Sequence, residues 1–420
     1  MNVLIKQAKV ICPQSSFHHK TVDILIENGN ITQIKKSISH PDVKIIEHDN
    51  LLVSLGWLDM QTNLCDPGFE FKEDMESGLK AAASGGFTGL CIMSGTHPPL
   101  HSKSQIEYII NRGKNNLVDV FPVGTISQNQ EGKDLSEMYD MKLAGAVAFS
   151  DYKNPVKDAG LILLALQYAA NIGSFIIAHC DDKSISAGGQ MNEGETSTSL
   201  GLKGIAGLAE ELMLQRNITV LEYCGGKLHI PTISTKGSVE LIKKAKANGL
   251  HLTCGVAAHN LLLDDSVLHD FDTNYKVNPP LRNKKDVDAL RKALENGTID
   301  VVVSDHSPQD VESKDLEFDL ADNGIINLQT AFAGALSGLK GEHIDILVEA
   351  MSIKPREIIG SEMPKIEEGV KANLTLFTSK EETTLSVKDI LSKSKNSPFI
   401  GKPLQGKVIG TINNNKGYWN

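Results

Sequence analysis

Residues 54–68 read SLGWLDMQTNLCDPG, and the pattern of the chain changes within this stretch. An apolar run ends at Asp59, and a strand-like segment then carries Gln61 and Asn63 two positions apart. Alternate residues of a strand face the same side, so the two amides share one face. Two histidines at this spacing would form one edge of a metal site, whereas an amide offers a carbonyl oxygen, a poorer zinc ligand than imidazole. The stretch therefore predicts a buried strand that carries amides where a metal site needs imidazoles.

From residue 55 onward, short apolar segments alternate with amphipathic ones over roughly 300 residues. The segments that predict strands are GLCIMSG (89–95), DVFPVGT (119–125), AVAFSD (146–151), FIIAHC (175–180), ITVLEY (218–223), HLTCGV (251–256) and DVVVSDHS (300–307). The segments between them that predict helices include Met75–Ser84, Lys133–Leu143 and Thr235–Asn248. Repeated βα units of this total length predict an α/β fold, specifically a (β/α)8 TIM-like barrel.

The two ends of the chain have a different character. Residues 1–54 hold short alternating runs, and Asn28-Gly29-Asn30 between two of them is a hairpin signal. Strand character returns after about residue 365 and continues through PFIGKPLQGKVIGTINNNKGYW (398–419). We therefore predict a small β-sandwich domain built from both termini, with residues 1–54 and 365–420 flanking a barrel at residues 55–364.

The composition excludes several classes of partner. The chain has 420 residues and a formal net charge of −10 that is spread along the sequence, which disfavours a nucleic-acid surface. Its six cysteines include no C-x-x-C pair, which favours reduced thiols over a disulfide framework or a structural zinc site. No apolar stretch approaches the ~20 residues that span a bilayer, and the N-terminus lacks a signal-peptide core. These features predict a cytoplasmic protein without nucleic-acid or membrane partners.

Polar residues at the carboxyl ends of the predicted strands are the candidates for chemistry, because active sites of such barrels collect there. They are Asp59, Gln61, Asn63, Asp151, His179, Asp181, Asp182, His229, His259, Asp305 and His306. Any one of them, taken alone, is more often a helix cap, a turn residue or a structural histidine. Several acidic and imidazole groups at the same end of successive strands favour a site, either present or ancestral.

Asp305, in the stretch Asp305-His306-Ser307-Pro308, is the sharpest of these candidates. An aspartate at a barrel strand end can ligate a metal and act as general base toward its water, and without a metal it would cap the following loop. Cys65 and Cys180 are interpreted as packing residues, with replacement thiolate ligands as the alternative. His97 in GTHPP is interpreted as a loop residue, with a position in the site as the alternative.

Ordered blocks along nearly the whole chain resemble the dihydroorotases of the amidohydrolase superfamily, in the class that includes dihydroorotase-like partners of aspartate transcarbamoylase. The blocks are GWLDM (56–60), DPG (66–68), FEFKEDMESGLKAAASGGFTG (69–89), LAGAVAFSD (143–151), AHCDD (178–182), EGETSTSLGLKGIAGLAEE (193–211), VNPPLR (277–282), SDHSP (304–308) and PFIGKPLQGKV (398–408). The resemblance implies a distorted (β/α)8 barrel with a β-sandwich from both termini. It also implies a binuclear zinc centre that hydrolyses or closes a cyclic amide in pyrimidine synthesis.

Carried over residue by residue, the resemblance keeps some site positions and loses others. It places the bridging acidic ligand, the first later histidine and the aspartate that is both ligand and base on residues that can still ligate: Asp151, His179 and Asp305. It places the three other histidine ligands on Gln61, Asn63 and Thr232, while the nearby His229 matches a different position. The substrate-binding arginine, a loop asparagine and the last His of Asp-His-Ala-Pro-His fall on Cys65, Gly95 and Gln309. Asn278 is retained as a weak substrate-binding candidate.

Three functional hypotheses follow from this pattern. The first is a dihydroorotase-like protein with a dismantled metal centre and no cofactor, acting as a structural or regulatory partner of aspartate transcarbamoylase or associating with itself as a homodimer. The second is an active cyclic-amide hydrolase with one zinc on Asp151, His179 and Asp305, with Cys65 or His97 recruited. The third is a small-molecule binder, or an enzyme that uses a metal-free pair of Asp305 and a histidine.

Overall fold

The computed structural model describes residues 1–40 and 43–420, and its strands fall into two large sheets and one small one. In chain order the strands are β1 (Val3–Val10), β2 (Thr21–Glu27), β3 (Asn30–Lys35), β4 (Lys44–Ile46), β5 (Leu52–Leu55), β6 (Trp57–Thr62), β7 (Phe87–Ile92), β8 (Asp119–Gly124), β9 (Ala148–Phe149), β10 (Ile176–Ile177), β11 (Met191–Asn192), β12 (Gly204–Ile205), β13 (Leu228–Ile230), β14 (Leu252–Ala257), β15 (Val301–Val303), β16 (Leu374–Thr384), β17 (Pro403–Asn413) and β18 (Lys416–Trp419).

The helices mostly follow the central strands, as a βα repeat requires. They are α1 (Met75–Ser84), α2 (Lys103–Gly113), α3 (Met138–Ala144), α4 (Ala159–Asn171), α5 (Lys183–Ser186), α6 (Glu195–Leu200), α7 (Gly207–Cys224), α8 (Lys236–Ala247), α9 (Lys284–Glu295), α10 (Val311–Lys314), α11 (Ala331–Gly338) and α12 (Ile344–Ile359). Short 3₁₀ helices lie at Gln128–Gln130, Ala258–Leu261, Asp265–Asp270, Thr273–Tyr275 and Val387–Asp389. No helix within the described residues is long and apolar enough to cross a membrane.

Eight parallel strands form the barrel, in the order β6-β7-β8-β9-β10-β13-β14-β15. A parallel bridge between Thr62 and His306, just after β15, closes the circle. Asp59 strengthens the closure, because its carboxylate accepts the Ser304 backbone N–H at 2.7 Å and also accepts hydroxyl bonds from Ser304 and Thr62. The (β/α)8 prediction is therefore confirmed.

Both ends of the chain contribute to the second large sheet, whose order is β18-β17-β16-β5-β1-β2-β3 with β4 paired to β1. The predicted hairpin joins β2 to β3, where Asn28 and Gly29 take φ values of 52° and 79°. The small domain from both termini is thus confirmed. The N-terminal part ends at Leu55 and the C-terminal part begins at Leu374, while the boundaries at 54/55 and 364/365 remain predictions.

A cluster of aromatic side chains joins this sheet to the barrel. Trp57 of β6 lies 4.7 Å from Phe332 of α11 and 5.4 Å from Phe377 of β16, measured between ring centroids. Gly86 permits this packing, because its φ is +94° and a Cβ there would lie 2.6 Å from the Trp57 ring. The barrel and the terminal sheet therefore share one packed core at this position.

One predicted strand is wrong. ITVLEY (218–223) lies inside helix α7, and the strand at this point of the barrel is Leu228–Ile230. The β-branched and aromatic residues of the segment favour a strand locally. Ile218 and Leu221 are buried while Thr219 and Tyr223 are exposed, which is helical spacing, so tertiary burial outweighs local preference here. The predicted helix at Lys133–Leu143 also begins later, at Met138.

Candidate functional site

The carboxyl ends of the barrel strands gather a buried group of polar side chains around Lys153, which follows β9. We name Gln61, Lys153, His179, His259 and Asp305 the Lys153 cluster. Asp305 follows β15 with a φ of 49°, and all of the cluster except Lys153 is buried to at least 96%. Burial, with a smaller contribution from the Lys153 charge, lowers the pKa of both His179 and His259.

An ion pair between Lys153 and Asp305 lies at the centre of the cluster. Lys153 Nζ is 2.9 Å from Asp305 Oδ2 and 2.7 Å from the backbone carbonyl of Asn278. The two side chains are 16% and 2% exposed. Burial alone would lower the pKa of Lys153, but the Asp305 charge and hydrogen bond, together with Tyr152, outweigh burial and raise it, so Lys153 is an ammonium.

The residue before this lysine fills the space beside the second barrel strand. Tyr152 has a φ of 53°, and its ring lies against Gly95, where a Cβ would be 2.4 Å from the ring. The Tyr152 hydroxyl is 3.2 Å from the Ser307 hydroxyl. A side chain larger than hydrogen at position 95 would therefore displace the tyrosine.

The two amide side chains of residues 54–68, Gln61 and Asn63, differ in their hydrogen bonding. Asn63 is engaged, because its Oδ1 accepts the Cys65 backbone N–H at 2.9 Å and its Nδ2 donates to the Gly95 carbonyl at 3.3 Å. Burial raises the pKa of Asp305, and the Lys153 charge and the neighbouring Gln61 amide partly oppose that rise. Neither amide atom of Gln61 meets hydrogen-bond geometry with any residue in 1–40 or 43–420.

The Asp151 carboxylate is hydrogen-bonded to the loop that follows β8. Its Oδ1 accepts the backbone N–H groups of Ile126 and Ser127 at 2.8 and 3.0 Å, and its Oδ2 accepts the Ser127 hydroxyl. Burial raises the pKa of Asp151 to about 6, although these hydrogen bonds oppose the rise. The carboxylate predicted to bridge two metals is thus engaged in fixing the loop after β8.

Several buried polar atoms near the barrel mouth have no hydrogen-bond partner among the described residues. They are both ring nitrogens of His179 and His259, the hydroxyl of Thr232 and Oδ1 of Asp305. Burial lowers the pKa of His179 and His259 to about 3, so both imidazoles are neutral near pH 7. The cluster therefore combines one fixed ion pair with neutral, unengaged donors and acceptors.

The predicted metal ligands do not come together as one set. Within the part of the chain that the structure describes, the only three candidate ligands whose atoms lie within 4.8 Å of one another are His18, His19 and Asp345. That group joins the segment between β1 and β2 to helix α12 and contains none of the predicted metal ligands. His18 Nδ1 accepts the Cys12 backbone N–H at 3.1 Å, so its Nε2 carries the proton of the neutral ring and is not free to ligate.

Other predicted candidates have structural roles. His306 Nδ1 accepts the Asn327 backbone N–H at 3.0 Å, and its Nε2 lies 3.5 Å from Glu73 Oε2. His229 lies within β13, 2.8 Å from the Thr253 hydroxyl of the next strand. Asp181 pairs with Lys183, and the next residue, Asp182, caps helix α5.

The remaining candidates also occupy defined positions. Cys65 and Cys180 are buried thiols whose pKa burial raises to about 12, which agrees with packing residues rather than thiolate ligands. His97 is an exposed loop residue beside Phe69. Asn278 contributes its backbone carbonyl to Lys153, and Gln309 accepts from Lys72 at 2.6 Å.

Sequence reasoning missed Tyr152 and Lys153, which fill the centre of the site. The available signal was their position directly after Asp151, at a strand end of the predicted barrel. A bulky aromatic residue followed by a lysine at that point brings a ring and a positive charge to the barrel end where the sequence predicts metal ligands.

Comparison with known proteins supports one family. The family described as dihydro-orotase-like matches residues 50–238. The chain is 41% identical over 416 residues to the dihydroorotase of Geotalea daltonii, covering 98% of each chain. It is 42% identical over 416 residues to the dihydroorotase of Acetivibrio thermocellus, covering 98% of this chain and 97% of the relative.

Solved structures with the same fold are less similar in sequence. L-hydantoinase (dihydropyrimidinase) from Arthrobacter aurescens superposes with a TM-score of 0.85 at 24% identity, covering 99% of this chain and 95% of that one. Dihydropyrimidinase from Brevibacillus agri gives a TM-score of 0.82 at 22% identity with the same coverage. These likenesses support the barrel architecture alone. The full-length identity to dihydroorotases confirms the resemblance seen in the sequence blocks, and the chain belongs to the dihydroorotase family of the amidohydrolase superfamily.

Proposed function

We propose that this chain is a dihydroorotase-like protein of pyrimidine biosynthesis whose binuclear metal centre is dismantled, and that it acts as a non-catalytic structural or regulatory partner. The observation that carries the proposal is the 2.9 Å contact between Lys153 Nζ and Asp305 Oδ2. A fixed ammonium there neutralises the carboxylate that the family resemblance assigns to zinc. A second cation at the same carboxylate would be repelled by the first.

The other ligand positions fit a binuclear zinc centre poorly. Gln61, Asn63 and Thr232 offer amide or hydroxyl oxygens in place of imidazoles, and Asn63 is already engaged by its own loop. The Asp151 carboxylate accepts three hydrogen bonds from residues 126 and 127. Loss of an outer-shell partner alone lowers metal affinity roughly 10–100-fold, and loss of inner-shell ligands should lower it further. We therefore expect no resident zinc or other cofactor in this chain.

The substrate side of the site has changed together with the metal side. Cys65 stands where the resemblance places an arginine that would grip a carboxylate with two hydrogen bonds, which a thiol cannot do. Tyr152 packs over Gly95, where the resemblance places an asparagine. The resemblance implies that the metal ligands and the carboxylate-binding arginine are lost together. This supports loss of the whole dihydroorotase reaction rather than a change in one of its steps.

The proposed partner is aspartate transcarbamoylase, in the cytoplasm. This part of the proposal rests on the family resemblance and on six free cysteines, five of them buried, which fit a reducing compartment. Co-expression with the aspartate transcarbamoylase chain from the same cell, followed by size-exclusion chromatography, should yield a joint peak. Two separate peaks at micromolar concentrations would reject this partner and leave the metal argument untouched.

Metal content and turnover of the purified full chain test the main proposal. After incubation with zinc and removal of excess metal, we expect far less than one zinc per chain and no hydrolysis of dihydroorotate above background. Zinc near one or two per chain, together with turnover of about 1 per second or faster, would overturn the proposal.

A matched pair of variants tests the role of Lys153 itself. The triple variant Gln61→His, Asn63→His, Thr232→His restores imidazoles and keeps the ammonium, and the quadruple variant adds Lys153→Ala. We expect tight zinc binding in the quadruple variant and at least about 10-fold weaker binding in the triple variant. Equal zinc affinity in the two variants would show that Lys153 does not control the site.

A single-metal cyclic-amide hydrolase is the second candidate function. His179 favours it, because this buried, neutral imidazole keeps both ring nitrogens unengaged by any described residue. His259 shares this property and could supply a further nitrogen ligand. The metal analysis above separates the candidates, since one tightly held zinc per chain with turnover of a cyclic amide other than dihydroorotate would favour the hydrolase.

A further inference from the structure

A cavity of about 880 Å³ lies at the amino ends of the barrel strands, and we call it the amino-end cavity. Its wall includes Thr88, the second residue of β7, and Asp119, the first residue of β8. The rest of the wall comes from the turn after α2, the end of α12 and the β17–β18 hairpin. The Lys153 cluster lies at the other end of the same strands. A cavity in the range of about 300–1,000 Å³ is typical of small-molecule sites, so this one has room for an organic ligand.

Arg356, near the end of α12, is a buried cation in the wall of this cavity and is only 4% exposed. Its hydrogen bonds to described residues reach the carbonyls of Gly56 and Ser352, both at 2.6 Å, and the Thr88 hydroxyl at 3.1 Å. A guanidinium has five N–H donors, so these bonds leave two of them for a ligand. Burial lowers the pKa of Arg356 to about 10, against the opposing charge of Asp119, and the group stays charged near pH 7.

A chain of hydrogen bonds, rather than an ion pair, joins Arg356 to Asp119. The Thr88 hydroxyl, which accepts from Arg356, donates to Asn373 Oδ1 at 2.8 Å. Asn373 Nδ2 donates to Asn413 Oδ1 at 3.1 Å, and Asn413 Nδ2 donates to Asp119 Oδ2 at 2.9 Å. This chain links the barrel to the terminal sheet and fixes the wall of the cavity. It also keeps the nearest carboxylate of the network occupied, so the Arg356 charge is available to an anion.

The charge of the cavity lining is opposite to that of the whole chain. Four cationic and two acidic side chains line the amino-end cavity: Lys114, Arg356, Lys365, Lys371, Asp119 and Glu362. The lining therefore has a surplus of two positive charges, although the chain as a whole has a formal charge of −10. A phosphate group carries about −1.5 to −2 charges at neutral pH, which matches this surplus. The charges of the lining favour an anionic ligand with a phosphate group.

The remaining wall of the cavity is mostly apolar. It includes Ile110, Val120, Phe121, Met363 and Val370. Beside them, the hydroxyl oxygen of Ser361 is buried and has no hydrogen-bond partner among the described residues. A free phosphate ion would leave this apolar wall uncovered, whereas a phosphate attached to a ring or an apolar chain would cover it.

We propose that the amino-end cavity is a binding site for a small organic phosphate, a molecule with one phosphate group and an apolar ring or chain. Arg356 binds the phosphate through its two remaining N–H groups, a mode of recognition that arginine favours. Lys365 and Lys371 are exposed and supply further positive charge to the phosphate. The apolar wall contacts the ring or chain. This site shares no residue with the Lys153 cluster, so it is independent of the zinc and turnover measurements.

Titration calorimetry of the purified full chain with phenyl phosphate tests the site. We expect one bound molecule per chain, with a dissociation constant of about 1 mM or tighter at physiological ionic strength. The variant Lys365→Ala/Lys371→Ala should weaken binding at least about 10-fold, because it removes two charged contacts to the phosphate. Both lysine side chains are exposed, so the variant should fold, and its melting temperature without ligand checks this.

Two further probes test the chemical class of the ligand. Inorganic phosphate lacks the ring and should bind at least about 10-fold more weakly than phenyl phosphate, because the apolar wall stays uncovered. Phenylacetate has a similar ring but a single negative charge, and it should also bind at least about 10-fold more weakly. Equal affinity for either probe would overturn the assignment of an organic phosphate.

The matched control is Lys284→Ala/Lys285→Ala, which removes two exposed lysines at the start of α9, outside the cavity. It should bind phenyl phosphate as the parent chain does. Arg356→Gln should abolish the binding, and the exposed lysines decide the question if this buried substitution unfolds the chain. A parent chain that does not bind phenyl phosphate overturns the proposal. Equal affinity in the parent and in Lys365→Ala/Lys371→Ala, or an equal loss in the control, also overturns it.

Discussion

Two buried polar clusters lie in the same barrel, and they differ in how completely their atoms are paired. The first, which we name the Glu210 cluster, consists of Glu210, Ser234, Ser238 and Arg282. Glu210 accepts the Ser234 backbone N–H at 2.9 Å and the Ser238 hydroxyl at 2.6 Å. Arg282 donates to the Ser234 hydroxyl at 2.9 Å and lies 3.8 Å from the Glu210 carboxylate. All of its charged atoms have partners.

The Lys153 cluster is buried except for its lysine, which is 16% exposed, and it is incompletely paired. Only the Lys153–Asp305 contact joins its members directly, while Gln61, His179 and His259 keep polar atoms without partners among the described residues. Buried polar groups in stable networks are almost always satisfied. The Glu210 cluster therefore has the character of a structural network, and the Lys153 cluster differs from it in the buried polar atoms that it leaves unpaired.

The largest loss of stability in either cluster is expected from Arg282→Met. Removal of the guanidinium leaves Glu210 as a buried anion without its compensating charge, which typically lowers the free energy of unfolding by about 3–5 kcal/mol. Urea unfolding measures the loss. The double variant Glu210→Gln/Arg282→Met removes both charges and should recover a large part of it. A loss below about 1 kcal/mol in the single variant would contradict the structural interpretation.

The corresponding change in the other cluster is Lys153→Met. It removes the ammonium beside Asp305, and we expect a smaller loss of about 2–3 kcal/mol, because Asp305 can take up a proton instead. Addition of Asp305→Asn should restore most of the lost stability. A parent-like unfolding curve for Lys153→Met would show that the ion pair does not hold this site together.

Only part of the contrast between the two clusters could be predicted from the sequence. Alternating apolar segments predicted the barrel, because burial of one strand after another leaves a regular pattern. The position of Lys153 beside Asp305 depends on the positive φ of Tyr152 and on the turn of Asp151 toward Ser127. Neither feature leaves a composition signal, so the sequence alone does not predict which side chain lies beside Asp305.

The misassigned segment ITVLEY has a related cause. Its residues prefer strands by local propensity, and only the three-dimensional burial of Ile218 and Leu221 against the barrel makes them part of α7. The exposed Tyr223 at its end is unexpected for a buried strand. Local preference and tertiary packing disagree at this segment, and packing determines the outcome.

A buried histidine outside both clusters gives a pH test that sharpens the comparison. Burial lowers the pKa of His229 from its ordinary value of 6.5 to about 3. Below pH 6.5 the unfolded chain therefore binds a proton that the folded chain does not, so the free energy of unfolding falls as pH decreases toward 3. One such group contributes a slope of up to about 1.4 kcal/mol per pH unit.

His229→Gln should reduce that slope by about one proton between pH 6 and pH 4. Thr253→Val is the matched control, because it removes the hydroxyl 2.8 Å from His229 Nδ1 and keeps the imidazole buried. It should lower stability while leaving the slope in place. An unchanged slope in His229→Gln would mean that this imidazole is protonated in the folded chain.

The smallest expected effect distinguishes the two amides of the opening motif. Gln61→Met replaces two unpaired polar atoms by an apolar side chain of similar length, so the free energy of unfolding should stay within about 0.5 kcal/mol of the parent or rise. Asn63→Leu removes the bonds to the Cys65 N–H and the Gly95 carbonyl, and it should cost about 1–2 kcal/mol. Urea unfolding of both variants under one set of conditions measures the difference. If Gln61→Met proved the more costly of the two, Gln61 would be engaged by a strong partner, and the Lys153 cluster would be as fully paired as the Glu210 cluster.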